Sequence, residues 1–158
     1  MRAPAPSYAH AARLILILSL APTVGLGIGR FAYSLVLPDM REQLAWSYSA
    51  AGFMNTINAA GYLVGALCAS RLIQRFGLTA SVRWSTVACA LSLALCAISG
   101  NFAVLSFARL LVGFAAAIGF VGGGALAATI AQSRPERANF LLSLFYAEIG
   151  RASCRARV

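Results

Sequence analysis

Residues 102–131 read FAVLSFARLLVGFAAAIGFVGGGALAATIA, a run whose one charge is Arg109. A hydrocarbon core of ~30 Å takes roughly 20 apolar residues at 1.5 Å per residue, so this run crosses a bilayer with residues to spare. Three further apolar stretches precede it, at about residues 14–37, 50–73 and 82–99. The third reaches span length only if Arg83 snorkels from its end. A fifth begins near residue 139 with NFLLSLFYA. Composition agrees: 60% of the 158 residues are hydrophobic and 11% charged, with a mean hydropathy of +0.78. A soluble domain carries charge at about a quarter of its positions. The apolar content excludes disorder, and four scattered cysteines make no disulfide scaffold. The fold class is an all-α polytopic membrane protein.

All 13 basic residues are arginine, against Asp39, Glu42, Glu136 and Glu148. An arginine-only, alanine-rich chain points to GC-rich coding and a bacterial source. The arginines punctuate apolar runs instead of forming a patch, which argues for topology and against nucleic acid. Arg2 and Arg13 lie in an arm at residues 1–13. Arg71, Arg75 and Arg83 follow the second span, and Arg134 and Arg137 follow the fourth. The opposite links hold Arg41 alone, which puts the N-terminus on the cytoplasmic side of an inner membrane. The basic start, the run LILILSL and Ala21-Pro22 also fit a signal peptide, but apolar character continues past Pro22 to span length. Trp46 and Tyr48 suit the headgroup level. Ser99, Gly100 and Asn101 make a tight hairpin, so the third and fourth spans are antiparallel neighbours. Glycines four apart, at Gly25/Gly29, Gly61/Gly65 and Gly119/Gly123, with Gly113/Ala117 as a variant, let helix backbones approach closely.

Two arginines lie within spans, where burial costs at least ~2.5 kcal/mol. Arg30 is ~12 Å and Arg109 ~10 Å from the same end at helical rise. Helical spacing aligns Thr23, Gly27, Tyr33 and Ser34 around Arg30, and Ser106 and Gly113 around Arg109. Asn55, Asn58, Tyr62, Gly65 and Ala69 share a face of the second span. One reading is a polar cavity for an anionic group; the other is that each arginine snorkels or bonds to carbonyls and asparagines for structure alone. The fully apolar parts of the spans hold no Asp or Glu, which disfavours a carboxylate relay and an acidic trap for cations and favours a carboxylate- or phosphate-bearing solute.

No enzyme chemistry is visible. His10, the sole histidine, is in the N-terminal arm, so neither a metal cluster nor a histidine-based triad can form. Cys68, Cys89 and Cys96 lack CxxC spacing and read as packing residues. Gly25 to Gly29 follows no strand, and Gly122-Gly123-Gly124 lacks a following Gly-Lys-Ser/Thr, so no nucleotide loop and no cofactor is expected.

The strings GLGIGRFAYSLVLPDM (residues 25–40), WSYSAAGFMNTINAAGYLVGAL (46–67) and ASRLIQRFG (69–77) resemble the start of a major facilitator superfamily transporter, of the YbfB/YjiJ-like branch. The resemblance covers about residues 14–147. The loop signature Gly-x-x-x-Asp-Arg-x-Gly-Arg falls on Ser70, Gln74, Arg75, Gly77 and Leu78, so Arg75 and Gly77 match while the acid and the last arginine are lost. The span-four signature Arg-x-x-x-Gly-x-x-x-Ala falls on Arg109, Gly113 and Ala117. The resemblance implies twelve helices in two six-helix lobes, with a small-molecule solute bound between them by alternating access. It implies that Arg109 faces a central cavity and is tied to coupling to a proton or ion, and that Arg75 and Gly77 belong to a cytoplasmic gate; with the depth and spacing above, Arg30 and Arg109 are the expected solute or coupling contacts and Tyr33, Asn55, Asn58, Tyr62 and Gly113 the expected cavity lining. Residues 14–147 would then be a partial N-terminal lobe, inactive alone. A small non-transporting membrane subunit or assembly factor is the alternative.

The last eleven residues, EIGRASCRARV (148–158), break the pattern with Arg151, Arg155 and Arg157. A span cannot absorb that density. The string is similar to a translated short-read sequencing adapter, whose codons GAG-ATC-GGA-AGA-GCG-TCG-TGT-AGG give the residues from Glu148 to Arg155. We therefore expect residues 148–158 to be an artefact tail, with the true chain continuing past residue 147; a basic cytoplasmic tail is the other reading.

Overall fold

Asn101 opens the helix around which the others assemble. Its side-chain oxygen accepts from Ala103 N at 3.0 Å and Val104 N at 3.2 Å, satisfying amide groups that a first turn leaves free. In the computed structural model this helix, α5, runs Phe102–Gln132. Ahead of it come α1 (Tyr8–Pro22), a π-helical segment (Thr23–Ala32), α2 (Tyr33–Gln43), α3 (Tyr48–Phe76) and α4 (Leu78–Ile98). A 3-10 turn (Pro135–Arg137) and α6 (Ala138–Arg155) follow it. The structure describes residues 8–133 and 135–155, excluding the side chains of residues 21, 28, 30–32, 148, 149 and 151–155. Arg2 and Arg134 of the charge pattern, the side chain of Arg30, and most side chains of the 148–158 tail therefore lie outside the described residues.

Among the described residues, four helices are long and apolar enough to cross a membrane: Tyr8–Gly27, Tyr48–Phe76, Leu78–Ile98 and Phe102–Gln132. α5 packs against α1, the π segment, α3, α4 and α6. It can do so because small residues dominate its buried positions, among them Ala108, Gly113, Ala115, Ala116, Ala117, Gly119, Gly122 and Gly123. Lipid tails supply no hydrophobic force between helices, so close backbone approach and van der Waals contact drive association. A Cβ added at Gly61 would fall on the Leu110 carbonyl, and one at Gly65 on the Phe114 carbonyl. From the other side, a Cβ at Gly113 would fall on the Asn58 carbonyl. α3 and α5 are thus in backbone contact. The outer surface is apolar: Ile17, Leu63, Leu67, Leu91 and Phe107 are all exposed. Such an apolar surface suits a bilayer and would be an aggregation hazard in water.

Two details differ from the expectation drawn from the sequence. The first apolar stretch is wound as a π-helix over its middle ten residues, Thr23–Ala32. The third helix begins at Leu78, ahead of the expected boundary, so Arg83 is an exposed residue within α4. The link before it shrinks to Gly77, whose φ of +85° and ψ of 154° turn the chain in one residue. Only glycine adopts that region cheaply. Nothing lies within 4 Å of a Cβ at Gly77, so a side chain there meets strain without collision. Gly77→Ala should lower stability by about 1–3 kcal/mol, read as a fall in the thermal midpoint of the purified protein.

Candidate functional site

The seven-residue offset from Phe102 sets Arg109 two turns into α5, against the π segment. Its relative exposure is 0%, so it does not snorkel. One guanidinium nitrogen, Nη1, donates to the Gly29 carbonyl. Cζ stands 3.8 Å from the centroid of the Tyr33 ring, a cation–π contact worth about 2 kcal/mol when desolvated. Gly29 makes both possible. A Cβ there would come within 2.8 Å of Val112 Cγ1, so the bare backbone is what lets the π segment reach α5. Gly25 repeats the device one turn earlier, against Ala116. The π winding gives a wider turn, and such turns recur at functional sites.

The rest of the guanidinium is unsatisfied. Nε and Nη2 of Arg109 have no hydrogen-bond partner among the described residues, and neither have the Tyr33 hydroxyl and Thr23 Oγ1, all buried. The described ion pair, Arg41–Glu42 at 3.7 Å, is at the end of α2. No Asp or Glu occurs between Glu42 and Glu136, so α3, α4 and α5 carry no carboxylate to neutralise this cation. A desolvated guanidinium with two unpartnered donor nitrogens offers charge-assisted hydrogen bonds to a carboxylate or phosphate.

Beside it, a cleft of ≈ 510 Å³ opens between α2 and α4, lined by Tyr33, Met40, Leu93, Cys96, Ser99 and Gly100 among others. Tyr33 belongs to both the cleft and the arginine site.

The sequence-predicted residues divide in three. Arg109, Tyr33, Asn58 and Gly113 come together: Asn58 Nδ2 donates to the Arg109 carbonyl at 2.9 Å, and Gly113 packs on the Asn58 backbone. Asn58 thereby ties α3 to α5 at their junction. The shared face of the second span is also split, because Asn58, Gly65 and Ala69 are buried against the bundle while Asn55 is exposed and Tyr62 half-buried. Arg75 and Gly77 lie apart from this site at the α3–α4 turn, with Arg75 exposed and its Cζ 5.7 Å from the Phe76 ring centroid. The side chain of Arg30 is outside the described residues. The Gly29 carbonyl was missed as an acceptor, since a glycine four residues from another reads only as a packing site. Among the described residues no group of three His, Cys, Asp or Glu could hold a metal ion.

Residues 22–152 match the family model described as "Uncharacterised MFS-type transporter YbfB". The chain belongs to this YbfB-like family of the major facilitator superfamily. It is a multi-pass membrane protein of transporter type, and the helices described above form part of a major facilitator bundle. The match takes in the π segment, Arg109 and the Gly77 turn, and it ends inside the arginine-rich stretch that starts at Glu148. No curated protein and no solved structure gives a further match.

Proposed function

We propose that this YbfB-like chain contributes the opening part of the N-terminal lobe of a secondary transporter that moves a small organic anion by alternating access. The observation that carries the reading is the buried guanidinium of Arg109, with two donor nitrogens unpartnered among the described residues and no carboxylate on α3, α4 or α5 to neutralise it. A structural arginine in lipid saturates its donors on carbonyls, because every unmet donor there costs free energy. A binding arginine keeps some for its ligand. Arg109 is the solute or coupling contact, with Arg30 at matching depth on the first span. Tyr33 and Tyr62 line the approach together with the exposed amide of Asn55. Coupling to a proton or ion belongs to the same cycle. Arg75 and the Gly77 turn act at the gate on the opposite side.

The excess of arginine on the arm and on the links after the second and fourth spans supports an inner-membrane orientation with the N-terminus cytoplasmic. The transport test belongs on the gene that encodes this chain. Cells expressing that gene should take up a labelled organic anion, and Arg109→Ala should abolish uptake while membrane insertion persists. Wild-type uptake by the Arg109→Ala transporter would overturn the assignment.

A further inference from the structure

A second hollow, of ≈ 380 Å³, lies between the last turns of α3, the first half of α4 and the middle of α5. Leu72, Phe76, Trp84, Ala88, Phe114 and Ile118 form most of its wall. The two serines in that wall are turned to their own helix: Ser81 Oγ donates to the Gly77 carbonyl at 2.8 Å and Ser85 Oγ to the Val82 carbonyl at 2.9 Å. Their hydroxyl protons are used, so the groove meets its occupant as an apolar surface. Phe76 and Trp84 stand at its margin, 59% and 72% exposed. Arg71, Arg75 and Arg83, all exposed, sit on the α3 and α4 turns that border it. The chain has no Asp or Glu between Glu42 and Glu136, and the signature acid of this loop is Gln74, so that end of the groove is cationic without local compensation.

We propose that this groove holds one acyl chain of an anionic phospholipid, whose phosphate is bound by Arg75, its Cζ 5.7 Å from the ring centroid of the lining residue Phe76. The apolar wall selects hydrocarbon over a polar solute, and the uncompensated arginines select an anionic over a zwitterionic headgroup. Basic pockets between membrane helices at the headgroup level bind anionic lipids on this principle, and an aromatic margin places Trp84 where chain and headgroup meet.

Trp84 is also the reporter, since the chain has two tryptophans and the other is Trp46. The Trp46→Phe protein would be reconstituted in phosphatidylcholine vesicles and titrated with phosphatidylglycerol or phosphatidylcholine brominated on the acyl chains, which quench indole on contact. Brominated phosphatidylglycerol should reach half-quenching at about fivefold lower mole fraction than brominated phosphatidylcholine, as one surface cation acting on one anion allows. Arg75→Gln should erase that preference, whereas Arg41→Gln, the same charge loss at the other end, should preserve it. Ala88→Phe, an exposed wall position, should fill the groove and weaken quenching by both lipids with the helical circular dichroism unchanged. Equal quenching by the two lipids would overturn the proposal. So would its absence with both, as when another protein segment fills the groove, or a preference that survives the arginine or Ala88 replacements.

Discussion

Gly113→Ala should separate α3 from α5 and cost about 3 kcal/mol or more of bundle stability, at the upper end of what overpacking does. The added methyl falls on the Asn58 carbonyl and comes within 2.8 Å of Tyr62 N. Both are backbone atoms of a neighbouring helix, so no rotamer change can make room. The helices must move apart, and in lipid that forfeits the packing that holds them. The Asn58–Arg109 hydrogen bond at the same crossing is lost with it. Gly52→Ala is the matched control, because nothing lies within 4 Å of a Cβ there. At Gly52, within α3, alanine should stabilise by roughly 0.5–1 kcal/mol through its better helix propensity. Denaturation of the two variants in mixed micelles should therefore shift in opposite directions. Equal midpoints for the two would mean that α3 and α5 are not in backbone contact.

Those two glycines also mark how far the sequence is legible. A run with one charge in residues 102–131 announces a span, and the string around Arg30 and Arg75 announces the family. Glycine pairs four apart announce that backbones meet. They do not say which backbones, because the spacing is a property of one helix and the partner is a property of the bundle. Gly61 meets Leu110 and Gly65 meets Phe114 only once α3 and α5 are side by side. The same limit explains the asparagines. A helical stripe is wide enough to hold both Asn55 and Asn58, and the rotation that buries one and exposes the other is set by packing. The π winding of Thr23–Ala32 was hidden for a related reason. Three glycines permit it, but its visible rewards, contact with Val112 and Ala116 and a carbonyl for Arg109, lie on a helix some 80 residues away. The place of Arg109 two turns into a long helix was readable from residue counting. Its engagement with Tyr33 was not, although Tyr33 was among the residues singled out.

That engagement leads to the second large effect, in which stability and transport should part company. Arg109→Met exchanges a buried cation for an apolar chain of similar reach. The exchange gives up the contact with Tyr33, worth about 2 kcal/mol, and a charged hydrogen bond to Gly29, worth about 1.5–3 kcal/mol. It also removes an insertion cost of at least ~2.5 kcal/mol and two unmet buried donors, at roughly 1–3 kcal/mol each. The two sides are of similar size, so the R109M bundle should melt within about 2 kcal/mol of the wild type, or above it, as happens when buried ions are replaced by well-packed apolar residues. Uptake should nonetheless vanish, because the lost groups are the unused donors. Arg109→Lys keeps the charge and loses the planar fork, so it should restore part of the uptake while binding the anion more weakly. A purely structural arginine predicts another pattern: R109M several kcal/mol less stable, with uptake following stability in every variant. Melting curves and uptake measured on the same three proteins separate the two, and the point of divergence is whether Nε and Nη2 are idle by accident or held open for a ligand.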